Sequence, residues 1–406
     1  VVRVADAYAD LTFRRDDGAS LAEHLRTIGR NAGLSAVGIT TADPFEETRH
    51  DLQDRKRRGL HAGMQFTYRN PDRSTDPRRI LPGARSLVVG AWSYRQKDPA
   101  SVADKSDDRL DHQRGTTRVR PTGEVARYAR HDHYADLRVA LAEIADHLTA
   151  QGWRATVVCD DNALVDRAAA HRAGLGWFGK NSLLLLPGQG SWFVLGSVVT
   201  DAPLDTYPSA DVLAHGEGCG SCSRCQTACP TGALDEPGVV DARRCLAWLV
   251  QAPGSFPVEF RQALGSRIYG CDACQQACPI NRRVERADRA DRADSAERTA
   301  SAPGGIGAPD RPQTGVDLLA LLSATDDKLL AAHGRWYIPG RDPRYLRRNA
   351  LVALGNTAEA DDPDVVDCLR HWIAAGDPLL AEHARWAATH LGRHDLVAET
   401  AETAET

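Results

Sequence analysis

No apolar run in this 406-residue chain reaches the length of about 20 residues that a membrane-spanning helix needs. Stretches such as Leu87 to Trp92 are only strand-sized. An excess of basic charge is also missing. The 50 Lys and Arg are outnumbered by 55 Asp and Glu, for a formal net charge of −5. That excludes a chain coated in basic residues, so any nucleic-acid surface must be local. No secretory or other targeting signal is read in the chain. The cytoplasm is therefore the expected compartment, and disulfides are not expected among the 10 cysteines. What is present is ordinary for a globular protein, with 42% hydrophobic and 26% charged residues in a length suited to two or three domains.

The cysteines are not ordinary. Cys219, Cys222, Cys225 and Cys229, followed by Pro230, read C-x2-C-x2-C-x3-C-P, the bacterial ferredoxin spacing. Cys271, Cys274 and Cys278, followed by Pro279, form a second run with one cysteine missing. Ile268 stands where a full repeat would carry it, and the solitary Cys245 is the natural replacement. In this pattern the fourth cysteine of a run crosses to the other 4Fe–4S cube. Cluster one then takes Cys219, Cys222, Cys225 and Cys278, and cluster two takes Cys229, Cys245, Cys271 and Cys274. A zinc ribbon also uses C-x2-C pairs, but it needs four ligands and no run of three at equal spacing. Cys159 and Cys368 fall outside the pattern and suit buried small hydrophobes.

The expected organisation is multi-domain, α+β followed by α. Helical and strand-like signals alternate over 1–205, giving an α/β domain. Within it Leu183 to Leu186 and Trp192 to Val199 read as a hairpin around Pro187-Gly188, Asn162 to Arg172 reads as a helix, and Gln96 to Arg120 reads as a mobile loop. The ferredoxin-like region spans 206–283. A charge-balanced, low-complexity linker is expected over 284–315. From 316 to 396 the pattern is helical, with Asp362-Pro363 and Asp377-Pro378 as helix starts and Gly355 and Gly392 as stops. This suits a small HEAT-type array or a plain helical hairpin equally. The tail, 397–406, is expected to be disordered.

Other motifs carry chemistry less specifically. Gly174 to Gly179 matches G-x-G-x-x-G. A helix precedes it and a strand follows, the reverse of a dinucleotide site. A helix stop and a close backbone approach explain it better. Asp160 and Asp161 end a strand carrying Cys159. A carboxyl there serves proton chemistry if burial raises its pKa, or caps the next helix. Arg335 to Asn349 is the most basic stretch, with interleaved aromatics. Arg341, Arg344, Arg347, Arg348 and Asn349 are candidates for contacting nucleic acid, against the alternative of a solvated helix face.

Taken together the chain resembles the epoxyqueuosine reductase family, from about residue 20 to 392. The resemblance is carried by His61-Ala62-Gly63-Met64, Leu81-Pro82-Gly83-Ala84, Tyr128-Ala129-Arg130 and Asp160 ahead of Asp166-Arg167. Ala173 to Asn181, Gly190-Ser191-Trp192-Phe193 and Leu195-Gly196 add to it. So do Cys229-Pro230-Thr231-Gly232-Ala233-Leu234, Tyr269-Gly270-Cys271-Asp272-Ala273-Cys274 and Leu346-Arg347-Arg348-Asn349-Ala350. The chain departs from the family where Asp132-His133-Tyr134 replaces Asp-Tyr-His, and where Asp161-Asn162-Ala163 replaces Ser-Ala-Pro.

The resemblance implies two 4Fe–4S clusters and a cobalamin on the α/β domain. It also implies reduction of epoxyqueuosine to queuosine at the wobble position of tRNA, with Asp160 as proton donor. Met64, Arg130, Asp160, Lys180, Asn181, Ser182, Leu184 and Leu195 are the expected cobalamin wall. An external one-electron donor such as a flavodoxin or ferredoxin, a monomer and no membrane partner are expected. The competing readings are another cobalamin iron–sulfur reductase, similar to the reductive dehalogenases, and a plain electron-transfer ferredoxin.

Overall fold

The computed structural model describes residues 18–95, 120–206, 217–299 and 315–402. The loop expected over Gln96 to Arg120 lies outside these residues except for Arg120, as does 300–314 of the expected linker. Among the described residues there are nine strands: β1 (Ala36–Thr41), β2 (Ser86–Ser93), β3 (Thr122–Val125), β4 (Ala155–Cys159), β5 (Trp177–Phe178), β6 (Leu184–Leu185), β7 (Phe193–Thr200), β8 (Arg267–Tyr269) and β9 (Gly315–Asp317).

The main sheet has the order β1-β2-β7-β4, and every pairing in it is antiparallel. Helices cover both faces, so its strands are apolar on both sides. Val88 and Val198 meet Leu137, Leu141, Ile144 and Leu148 of the His133–Ala150 helix, together with Leu25 of the Gly18–Asn31 helix. Leu87, Val89 and Val199 face Leu164 and Ala169 on the other side. Each such side chain contributes about 1.5–3 kcal/mol on full burial. Gly196 is needed at the centre, because a Cβ there would stand 2.7 Å from Leu141 Cδ1.

The expected hairpin does not form. β6 pairs with β5, while β7 is drawn into the main sheet between β2 and β4. The glycines of 174–179 make the β5–β6 pairing possible. Gly174 has φ +74° and ends the preceding helix, and a Cβ on Gly176 would lie 2.1 Å from the Leu185 carbonyl oxygen. The helix expected from Asn162 starts later, at Asp166.

A small sheet, β8-β3-β9, joins the three parts of the chain. It explains the missing cysteine: Ile268 lies on β8, is 1% exposed, and packs into the core of the C-terminal helices. Asn281 and Gln275 fasten the cluster region to the main sheet. Asn281 Oδ1 accepts from Ser191 N at 2.8 Å, and Gln275 Nε2 donates to the Ser191 carbonyl at 3.0 Å.

The C-terminal helices are Arg344–Thr357, Pro363–Ala374, Pro378–His390 and His394–Glu402. Asp362 and Asp377 cap two of them, Asp377 Oδ1 accepting from the amides of Leu379 and Leu380. Gly355 does not stop its helix, which runs to Thr357. Its bare Cα instead admits Ala387 of the neighbouring helix. Two further stretches differ from expectation. A single helix, Pro279–Thr299, covers the first half of the expected linker, and the last helix reaches Glu402 in the expected disordered tail.

Candidate active site and cluster-binding region

The seven cysteines of the two runs and the solitary Cys245 are all free thiols on short turns and helices of the cluster region. The structure brings them together in two neighbourhoods. Cys225 is raised by burial, with the thiols of Cys219 and Cys278 close enough to add to the shift. Cys245 is pushed up to about 11 by burial, with Cys271 and Cys229 beside it. Burial also raises Cys271 and Cys274. Cys274 senses Cys245, Cys271 and Cys229, and also Cys225 of the first neighbourhood. The amide of Ala233 donates to Cys229 Sγ at 3.2 Å, the type of bond that tunes a cluster's potential. Among the described residues no His, Cys, Asp or Glu side chains form a group that could hold a single metal ion. Four thiolates on one zinc would converge to about 3.8 Å, whereas a cube holds its thiolates farther apart. Loading requires the thiols to lose their protons, so burial couples it to pH.

Asp160 follows β4 and has φ +53°, a left-handed conformation that is rare outside glycine and asparagine or aspartate. Its side chain is open to solvent on one side. Burial by the rest of its surroundings nevertheless raises its carboxyl above the ordinary range, against the pull of Arg138. Asp161 takes the local role, its Oδ1 accepting from Ala163 N at 2.8 Å. Tyr134 is raised by burial, with Asp160 and Asp166 next in effect. Tyr269 of β8 also senses Asp160. The carboxyl thus lies where the main sheet meets the cluster region. Asp166 and Tyr134 entered the sequence reading only as pieces of a motif and a departure from it. Their place beside Asp160 depends on the β4 turn and on the packing of the His133–Ala150 helix.

The expected cobalamin wall divides. Ser182 has φ +61° and a buried Oγ without a partner. Lys180 Nζ donates to the Gly220 carbonyl at 2.7 Å, and Asn181 Oδ1 accepts from Leu183 N at 3.3 Å. Met64 is half-buried on a turn where Trp248 Nε1 donates to the Ala62 carbonyl at 3.2 Å. Arg130 Nε donates to the Val125 carbonyl at 2.9 Å. Leu184 and Leu195, by contrast, are packed into the core with Leu164 and Val199 and present nothing to a ligand. Sequence reasoning missed two polar atoms near the Ser182 loop and the Met64 turn. Trp177 Nε1 and His61 Nδ1 are buried without partners.

Residues 218–281 match the family model described as a 4Fe-4S double cluster binding domain. Over 94% of this chain and 98% of the relative, the sequence is 32% identical to the epoxyqueuosine reductase of Xanthomonas campestris pv. campestris. It is 31% identical to that of Escherichia coli K12 over 90% of this chain and 88% of the relative. The chain belongs to the epoxyqueuosine reductase family. The crystal structure of an epoxyqueuosine reductase with an epoxyqueuosine-modified tRNA-Tyr stem loop is similar, with a TM-score of 0.74 and 28% identity. That match covers 92% of this chain and 91% of the other.

In this member of the epoxyqueuosine reductase family the arginine-rich segment is not the surface expected from its sequence. Arg348 is 1% exposed and donates to the carbonyls of Ala252, Gly254, Leu249 and Val250. Asn349 is fully buried and donates to Val250 and Ile268. Arg347 is buried between Asp326 and the Ala324 carbonyl. These three cannot reach a nucleic acid. Burying the charge of Arg348 is tolerated because each of its donors meets an acceptor, whereas Arg347 Nε is buried without one. Arg341 and Arg344 remain exposed, beside Tyr337 at 54% exposure. Arg344 is bound to Asp342 and Asp377, whereas Arg341 NH1 donates to the Gly334 carbonyl and has no acidic partner among the described residues.

Proposed function

We propose that this protein reduces epoxyqueuosine to queuosine at the wobble position of tRNA, the closing step in making that nucleoside. The observation that carries the reading is a carboxyl of raised pKa, Asp160, at the end of β4, in a chain whose cluster cysteines gather in two neighbourhoods. The reaction consumes two electrons and two protons. Two carbon–oxygen bonds break, a carbon–carbon double bond forms, and the oxygen leaves as water. Asp160, whose carboxyl burial holds above the ordinary range, would donate to the departing oxygen.

The residues around the Gly-rich loop fit an amide-rich corrinoid. Ser182 Oγ, Trp177 Nε1 and His61 Nδ1 are buried polar atoms that lack partners, and a ligand with amide side chains would satisfy them. Ser182, Lys180, Asn181, Arg130 and Met64 would hold cobalamin there. When bound, cobalamin supplies a low-valent metal that passes electrons to an epoxide carbon. This chain's part is to orient the epoxide, to exclude water, and to bring the proton at the Asp160 carboxyl.

An external one-electron carrier, a flavodoxin or ferredoxin, would reduce the clusters from the side where Cys219 and Cys222 line an open hollow of ≈ 770 Å³. The C-terminal helices, HEAT-like in their pairing, would hold the tRNA, with Arg341 meeting phosphate and Tyr337 stacking on a base. Metal analysis of protein purified anaerobically tests the cofactor set. The expected content is about eight irons per chain, with one equivalent of added corrinoid bound. Iron at half that level, or no corrinoid binding by optical titration, would remove the proposed electron path.

A further inference from the structure

We propose that the face around Cys219 and Cys222 is a docking surface for an acidic one-electron carrier protein, and that Arg224, Arg282, Arg283 and Arg286 hold the carrier there. This rests on the reduction proposed above and deepens it by giving the electron donor a seat.

The arginines gather from two elements. Arg224 opens the short Arg224–Thr227 helix and lines the open hollow that Cys219 and Cys222 share with Pro279. It also lines a second hollow, of ≈ 340 Å³, together with Arg282. Arg282, Arg283 and Arg286 stand three, four and seven residues after Pro279 on the Pro279–Thr299 helix, so they share its face. All four arginines are exposed. Arg282 donates Nε to the Gln276 carbonyl at 2.8 Å, which leaves the rest of its guanidinium outward.

The acids that could neutralise this charge are engaged elsewhere. Glu285 is held by Arg127 NH1 at 2.6 Å and Asp288 by Arg95 NH1 at 3.5 Å. Both acids are half-buried, so the helix turns its acids inward and its arginines outward. None of the four arginines has an acidic partner among the described residues. Over 218–233 Arg224 is the single charged residue. Lys180 adds an ammonium at the rim, where its Nζ donates to the Gly220 carbonyl at 2.7 Å. In a chain of net charge −5 this is a local basic patch.

Such a patch speeds the encounter with a negatively charged partner and orients it. Electron transfer demands a close approach to the cluster, and here the positive charge surrounds two of the cluster-one cysteines. RNA also seeks cations, but its splayed bases need aromatic platforms. The stretches 218–233 and 273–299 contain no Phe, Tyr or Trp, whereas Tyr337 stands exposed in the other basic segment. Each docking moves one electron: the carrier is oxidised by one and this protein is reduced by one. Two dockings supply the two electrons that one epoxide takes up.

The test uses the cluster-loaded protein without tRNA and follows the loss of visible cluster absorption by stopped flow. The reductants are a reduced flavodoxin, an acidic carrier, and reduced methyl viologen, a small cation. In a variant combining Arg224→Glu and Arg282→Glu the flavodoxin rate at low salt should fall about tenfold or more, the lower end of electrostatic steering. The viologen rate should hold or rise, and iron content and separately measured tRNA affinity should not change. The wild-type flavodoxin rate should fall steeply with added salt, and the variant's should hardly respond. An unchanged flavodoxin rate in the variant overturns the proposal. Equal losses with both reductants also overturn it, because the charges would then act on the clusters themselves. So does a loss of tRNA affinity beside an intact flavodoxin rate, which makes the face an RNA surface. If the variant loses its iron, the wild type decides: a flavodoxin rate indifferent to salt overturns the docking. Failure to form queuosine is a separate result, since the reduction assay holds no tRNA, and it tells against the epoxide reduction alone.

Discussion

Arg348 and Asn349 grip the same carbonyl. Arg348 NH2 donates to the Val250 oxygen at 3.3 Å and Asn349 Nδ2 donates to it at 2.8 Å, while Arg348 Nε donates to Asn349 Oδ1 at 3.1 Å. The pair ties the Arg344–Thr357 helix to the turn that follows Cys245. Arg348→Ala should therefore act on stability and not on RNA affinity. It leaves the Ala252 and Gly254 carbonyls without their donor and takes one donor each from Leu249 and Val250, at a cost of roughly 2–4 kcal/mol. Chemical denaturation of the variant, set beside its tRNA affinity under native conditions, checks this. A variant as stable as the wild type that binds tRNA poorly would return Arg348 to the RNA surface.

Arg341→Ala is expected to weaken tRNA binding and to lower the salt dependence of binding by about one unit of slope, as for the loss of one phosphate contact. Arg344→Ala should do less, since Asp342 and Asp377 already neutralise that guanidinium. Binding isotherms at several salt concentrations separate the two. Equal effects would show that the acidic partners release Arg344 on binding.

How legible these residues were in the sequence depended on how local their causes are. Cluster ligands announce themselves because a cube fixes the spacing of cysteines along a few residues. The replacement of a cysteine by Ile268 could be read, but its reason could not, since it lies in pairing with β3 far along the chain. Arginines 347 and 348 looked like a basic surface because charge predicts solvent unless a fold supplies carbonyls to meet it. The Ala-Asp-Arg repeats before Thr299 have no apolar stripe, yet two of their three residues, alanine and arginine, are strong helix formers, and the segment is helical. The hairpin failed because β7 had better partners on both sides than β6 could offer.

Asp160→Asn should keep the left-handed backbone, which asparagine tolerates, and should retain both clusters. Its turnover should fall about 100-fold or more through loss of the acid. In the wild type the protonated form is the working one, so activity should decline as pH climbs through the raised pKa of Asp160. A rate–pH profile of the two proteins checks both points, and a variant with the wild-type rate would move the donor role elsewhere.

His383 is held neutral. Its Nδ1 lies 2.7 Å from the Leu379 carbonyl and its Nε2 accepts from Phe256 N at 3.1 Å, so Nδ1 carries the proton. Burial first, and then Arg261, lowers its pKa toward about 4. The folded state thus binds fewer protons than the unfolded one between that value and the free imidazole value of about 6.5. Stability from this group is fully present above that window and is lost as pH falls through it. Melting temperatures across the range should drop for the wild type and drop less for His383→Gln. Parallel curves would mean that His383 titrates normally.

The most direct measurement is nucleoside mass spectrometry of tRNA carrying epoxyqueuosine, incubated anaerobically with the cluster- and corrinoid-loaded protein and a one-electron reductant. The account predicts that epoxyqueuosine disappears as queuosine, lighter by one oxygen, accumulates. It also predicts that neither change occurs when the protein lacks its clusters. Unchanged epoxyqueuosine in the presence of fully loaded, reduced protein would contradict it.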